Sequence, residues 1–109
     1  MQGYDETKAL AFMEANINPK IARAFGSDVR QALVELIQLD LSYMRQMAVL
    51  DEDGFQGEGE YDEDDAFEAI LNSYLDAHPE ADDMRTAALL NEYMALQADF
   101  LEASGLADD

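Results

Sequence analysis

Apolar residues recur along this chain at intervals of three and four, the spacing that places them on one side of an α-helix. No segment shows a convincing alternation of apolar and polar residues, so no β-strand is expected. The pattern predicts an all-α bundle of about five helices, near residues 5–15, 20–25, 28–50, 63–78 and 79–103. With 109 residues, 49% of them hydrophobic, residues 1–109 are expected to form one domain with a frayed tail at 106–109.

Residues with known preferences for helix ends set these boundaries. Pro19 can serve as the first residue of the second helix, and Gly26 stops it. Ser27 and Asp62 are suited to cap the N-termini of the third and fourth helices, since their side-chain oxygens can accept unpaired backbone N–H groups. Gly105 is placed to cap the C-terminus of the fifth helix.

The third helix, 28–50, is the most apolar segment of the chain. Its apolar side chains are not confined to one stripe, which is typical of a central helix covered by several neighbours or by a second copy of the chain. We therefore expect it to be the centre of the fold and expect a homodimer through helix 28–50. One predicted face contains Val29, Leu33, Leu36, Ile37, Met44 and Met47, and the remaining apolar residues are Val34, Leu39, Leu41 and Tyr43.

Residues 51–62 contain three glycines among acidic residues and are expected to form a mobile loop. With Gly54 aligned to the invariant glycine, this segment resembles an EF-hand, which implies weak Ca²⁺ ligation by Asp51, Asp53 and Glu60. The first ligand position of the motif holds Val49 instead of Asp. The main expectation is therefore no metal or cofactor, with a degenerate Ca²⁺-binding helix-loop-helix module as an alternative.

The sequence does not favour an enzyme. There is no cysteine, each serine fits a helix cap or helix surface, and the glycines of the loop are embedded in carboxylates that would repel phosphate. The only histidine, His78, stands beside Glu80, Asp82 and Asp83, which could form one weak transition-metal site. Since it directly precedes a proline, we expect it instead to fill a joint between two helices.

The charge of the chain is concentrated in its second half. Residues 1–50 carry six acids and five bases, whereas residues 51–109 carry nineteen acids and a single base, Arg85. A dense negative field repels nucleic acid and acidic membranes and attracts basic surfaces. With no export signal and no apolar run of about 18 residues, the protein is expected to be soluble and cytoplasmic.

These features predict an interaction protein whose acidic helical surface engages a basic site on a partner, such as a nucleic-acid-binding protein. In being small, acidic and without a catalytic constellation, the chain resembles phage-encoded anti-restriction and anti-CRISPR inhibitors, which implies mimicry of nucleic acid. The alternative is an acidic structural or adaptor domain whose charge serves solubility. Phe55 and Tyr61 are candidate apolar anchors in the loop, unless they fold back into the core. The predicted acidic surface contains Asp62, Asp64, Asp65, Glu68, Asp76, Glu80, Asp82 and Asp83.

Overall fold

The computed structural model describes residues 5–26, 28–49, 59 and 62–104, and within them the chain is helical with no strand. The predicted all-α fold is confirmed. The helices are α1 (Glu6–Asn16), α2 (Pro19–Phe25), α3 (Val29–Gln46), α4 (Glu63–Ala77) and α5 (Asp83–Ser104).

Side-chain oxygens cap the N-termini of α1, α2 and α4. Asp5 accepts the backbone N–H of Lys8 at 3.1 Å, and Asn18 accepts that of Lys20 at 2.9 Å, with Pro19 as the first residue of α2. Asp62 accepts the N–H of Asp65 at 3.1 Å. Each bond satisfies a donor that has no partner inside its helix. The predictions for Pro19 and Asp62 are confirmed.

The other predicted end residues differ in outcome. Gly26 ends α2 at a φ of 117°, a conformation that a residue with a Cβ adopts only with strain. Asp28 stands at the N-cap position of α3, and its side chain makes no capping hydrogen bond. Ser27 and Gly105 lie outside the described residues.

The prediction that the third helix continues to Leu50 is wrong, because α3 ends at Gln46. Ala48 adopts a left-handed φ of 60°, and the N–H of Val49 donates back to the carbonyl of Met44 at 2.7 Å. Together with a 3.2 Å bond from Ala48 N–H to the carbonyl of Arg45, this is the Schellman arrangement that closes many helices. Glycine is the usual residue at this position, and alanine gave no signal in the sequence.

The prediction that α5 begins at Pro79 is also wrong. The backbone turns first, with the N–H of Ala81 donating to the carbonyl of His78 at 2.9 Å. Asp82 then caps the helix by accepting the N–H of Arg85 at 3.0 Å. A capped start at Asp83 satisfies donors that a start at Pro79 would leave to water.

The core lies where α3 and α5 meet the other helices. α3 packs against α1, α4 and α5, and α5 also contacts α2. The central position is shared by α3 and α5, because α5 contacts each of the other four helices. The buried apolar side chains of α3 are covered by other helices of the same chain. The homodimer stays a prediction. The buried apolar side chains of α3 are Ala32, Leu33, Leu36, Ile37, Leu41, Tyr43 and Met44.

Met47, predicted for the buried face of α3, is 45% exposed. The reason is the early end of the helix, since Met47 is the C-cap residue that follows the last helical residue, Gln46. Among the described large hydrophobic residues, Met84 near the start of α5 is also exposed, at 83%.

A buried carboxylate joins the two central helices. Asp40 of α3 is fully buried and accepts hydrogen bonds from Tyr93 Oη at 2.6 Å and Gln97 Nε2 at 3.0 Å, both on α5. Buried polar groups of this kind require partners, so the pairing fixes how α3 and α5 face each other. The sequence carries a signal for this role, since Asp40 is three residues after Ile37 and four before Met44, in the middle of an apolar stripe.

A second long-range bond places α2 on α5. Glu92 of α5 accepts the backbone N–H of Asn18, the residue that caps α2, at 2.8 Å. Across the part of the chain that the structure describes, no helix combines the length and the apolar composition that crossing a membrane requires.

Candidate functional site

The predicted acidic surface falls into two groups on the structure, and all eight side chains are exposed. One group lies at the N-terminal half of α4, and the other lies at the end of α4 and the turn into α5. From Asp64 to Asp76 the helix rises by about 18 Å, so the two groups are not one compact cluster. The first contains Asp62, Asp64, Asp65 and Glu68, and the second Asp76, Glu80, Asp82 and Asp83.

Three of these carboxylates make hydrogen bonds within the protein. Asp62 and Asp82 cap α4 and α5, as described above. Asp65 accepts a hydrogen bond of 2.9 Å from the hydroxyl of Tyr43 on α3. These bonds occupy part of the acceptor capacity of each carboxylate, which gives all three a role in stabilising the fold.

The surroundings of the Tyr43 hydroxyl raise its pKa. Burial is the largest cause that raises its pKa, to about 12, and the hydrogen bond to Asp65 and the negative charge of Asp65 add to it. Removing the phenolic proton would place a second negative charge against a carboxylate. Tyr43 therefore stays neutral and keeps α3 attached to the first turn of α4.

Four acids have no such internal role. Asp64, Glu68, Asp76 and Asp83 are exposed, and no described residue gives any of them a hydrogen bond or an ion pair. We call these four residues the acidic face. Asp64 and Glu68 are one helical turn apart, where like charges repel by about 0.2–0.5 kcal/mol. The fold thus maintains repulsion that a positively charged partner would relieve.

The packing of α4 explains why these side chains point outward. Ala66, Ile70 and Tyr74 recur every four residues and are buried against the core. Asp64, Glu68 and Asp76 project from other sides of the same cylinder. The buried stripe holds the helix in place, and the carboxylates are therefore presented by rigid backbone.

A groove of about 260 Å³ runs beside the acidic face, between α4 and α5. Half-buried Phe67 and Met94 give it apolar walls, Glu63 and Asp64 an acidic rim, and Asn91 a neutral polar group. Phe67 lies on α4 and Met94 lies on α5. Only the packing of α4 on α5 leaves part of each accessible next to carboxylates.

His78 fills a joint between helices, in accord with the expectation for a histidine before proline. Its Nε2 lies 2.6 Å from Oε2 of Glu35 on α3, and its ring stacks on Tyr74 with 4.4 Å between ring centroids. Its other nitrogen, Nδ1, is 3.8 Å from Glu80 Oε1. Over residues 5–26, 28–49, 59 and 62–104, no three histidine, aspartate or glutamate side chains come together as a metal site.

The remaining sequence candidates are in the loop. Phe55 and Tyr61, the two anchor candidates, and Asp51, Asp53 and Glu60, the Ca²⁺ candidates, lie outside the described residues. Comparison of the chain with protein-family models, with curated proteins and with solved structures gives no match.

Proposed function

We propose that this is a non-enzymatic interaction protein that uses its acidic face to engage a basic site on a partner protein. The observation that carries the proposal is the set of exposed carboxylates, Asp64, Glu68, Asp76 and Asp83, none of which forms an ion pair with another described residue. Arg85 is the only basic residue among residues 51–109, so little positive charge is available to neutralise them from the same half of the chain.

Charge and apolar area contribute differently to such a contact. Exposed carboxylates accelerate the encounter with a basic surface and make binding sensitive to salt, whereas apolar contacts make the complex last. The groove walls Phe67 and Met94 supply apolar contact directly beside Asp64. Met84, 83% exposed and adjacent to Asp83, supplies a second apolar contact at the other end of the acidic face.

Nucleic-acid mimicry is the most specific form of this proposal. Along α4, Asp64 and Glu68 are separated by a rise of about 6 Å, and Glu68 and Asp76 by about 12 Å. One strand of duplex DNA places a phosphate about every 3.4 Å along its axis. The acids would therefore stand in for every second to fourth phosphate, which is sufficient to occupy a partner's lysine and arginine side chains without copying each contact.

The test compares two triple variants with the unmodified protein, each immobilised as bait. Soluble proteins of the source cell, or of a cell that it would act on, are passed over each bait at low salt. The first is Asp64→Asn, Glu68→Gln and Asp76→Asn on the acidic face. The matched control is Glu6→Gln, Asp99→Asn and Glu102→Gln, which removes the same charge from exposed positions on α1 and α5. Bound proteins are eluted with duplex DNA.

We expect the unmodified protein and the control variant to retain a basic protein that DNA releases, and the acidic-face variant to retain much less of it. Equal retention by the two variants would show that only total charge matters. Retention that DNA does not reverse would refute mimicry and leave a general basic partner. If the unmodified protein retains nothing, the proposal is wrong and solubility becomes the role of the charge. Circular dichroism of both variants checks that the helices are intact.

A further inference from the structure

A second concave site lies on another side of the molecule. It is a cleft of about 240 Å³ where the end of α2, the start of α3 and the turn between α4 and α5 meet. Phe25 and two alanines provide its apolar lining. Its ionisable lining consists of Asp28, Glu35, Tyr74, His78 and Glu80. The sequence did not indicate this site, because its residues come from three separate segments.

The carboxylates of this cleft have acceptor capacity left over. Asp28 occupies the N-cap position of α3, yet its side chain does not bond to the helix. Glu35 uses one oxygen for His78, and Glu80 approaches the same ring only to 3.8 Å with a side chain that is 79% exposed. Three acids therefore border one cavity with a single histidine between them.

Tyr74 is an independent sign that this cleft takes a ligand. It is only 6% exposed and lines the cavity, and its hydroxyl has no hydrogen-bond partner among the described residues. Burial is the largest cause that raises its pKa, and the charges of Glu35, Asp28 and Glu80 follow. The negative charges of all three carboxylates of the cleft thus act on the phenol, while no described residue donates a hydrogen bond to its oxygen. The oxygen is therefore accessible from the cleft, where a ligand that donates a hydrogen bond can reach it.

We propose that this cleft binds the guanidinium group of an arginine side chain from the partner protein. The inference rests on the proposed function, since it specifies one contact of a basic partner. Arginine fits because its planar group carries five N–H donors that can reach acceptors on several sides. Lysine offers one compact charge, which would satisfy fewer of these acceptors. The Tyr74 and His78 rings, tilted by 30° to each other, add an aromatic surface against which a planar cation packs well.

The direct test is a titration with two defined peptides, acetyl-(Gly-Arg)₃-amide and acetyl-(Gly-Lys)₃-amide, at low salt. NMR of the ring protons of Tyr74 and His78 reports on the cleft, and the amides of α4 report on the acidic face. We expect the arginine peptide to shift the ring signals and to bind the cleft about tenfold more tightly than the lysine peptide. Equal binding of the two peptides at the cleft would overturn the proposal.

The variants Tyr74→Phe and Glu80→Gln separate specific contacts from general charge. Tyr74→Phe leaves the charge unchanged and removes the hydroxyl, so it should reduce the preference for arginine. Glu80→Gln should weaken arginine binding at the cleft by a few-fold. Asp99→Asn, an equal loss of charge at an exposed position elsewhere on α5, is the matched control and should have no effect at the cleft.

The same titration distinguishes the two proposals. Shifts on α4 for both peptides without ring shifts would overturn the arginine cleft and leave the acidic face standing. A different outcome would support the cleft and refute the acidic face. In that outcome the arginine peptide still shifts the ring signals of the Asp64, Glu68 and Asp76 variant, and that variant also retains partner proteins normally. No shift at either place with either peptide would refute both.

Discussion

Replacing Tyr93 by phenylalanine removes one hydroxyl from the centre of the protein and leaves the ring in place. Tyr93 and Asp40 are both fully buried, and the hydrogen bond between them is 2.6 Å long. Removing one hydrogen-bond partner from a buried polar group costs about 1–3 kcal/mol, because the group cannot turn to water instead. We therefore expect Tyr93→Phe to lower the free energy of unfolding by about 2–3 kcal/mol.

That loss is large for a domain of this size. Small domains are stable by about 5–15 kcal/mol in total. With an unfolding entropy of about 2.1 cal/mol/K per residue, a chain of 109 residues loses about 4 °C of melting temperature for each kcal/mol. The variant should therefore melt about 8–12 °C below the unmodified protein.

Tyr43→Phe is the matched control, since it removes the same hydroxyl from a tyrosine whose acceptor is exposed. The Tyr43 hydroxyl donates at 2.9 Å to Asp65, whose carboxylate is exposed and can be hydrated when the bond is lost. That substitution should cost only about 0.5–1.5 kcal/mol. Urea denaturation followed by circular dichroism at neutral pH measures both. If Tyr93→Phe cost no more than Tyr43→Phe, the reasoning that Asp40 depends on its buried donor would be refuted.

Four further predictions concern pH, the turn that follows α3 and the cap of α4. Because the pKa of Tyr43 is raised from 10.0 to about 12, its neutral form stabilises the fold fully below pH 10, and this contribution is lost as the pH rises towards 12. Tyr43→Phe should therefore lose less stability than the unmodified protein over that interval in denaturant titrations, and an equal loss would contradict the assignment. Ala48→Gly should raise stability by about 0.5–1 kcal/mol, because glycine adopts the left-handed φ without strain. Gly59→Ala should lower stability, since an added Cβ would lie 2.8 Å from the Ala48 carbonyl carbon. Thermal unfolding measures the Ala48→Gly and Gly59→Ala variants, and stability changes of the opposite sign would refute the geometry of this turn. Asp62→Ala should cost about 1 kcal/mol through loss of the α4 cap, whereas Asp62→Asn should cost much less in the same assay.

The candidate site was only partly visible in the sequence. Charge counting found the acids of α4 and of the turn that follows it, because charge is a property of composition. It could not separate Asp65, which accepts a hydrogen bond from Tyr43, from Asp64, which has no partner among the described residues. That distinction depends on which helix lies beside each side of α4. The cleft around Tyr74 was not visible at all, since it needs α2, α3 and the α4–α5 turn to meet.

The sequence alone determined the helices, their number and most of their ends. The apolar spacing of three and four, Pro19, Gly26 and Asp62 act within a few residues of chain, so their effects are readable without knowing the fold. The tertiary structure decided the rest. Ala48 closes α3 in a conformation for which alanine gives no local signal, with Gly59 N–H bonded to its carbonyl at 2.7 Å. Asp40 is a core residue because Tyr93 and Gln97, more than fifty positions away, donate to it. Contacts between distant segments set burial and pairing, and these decide which polar side chains stabilise the protein and which remain available to a partner.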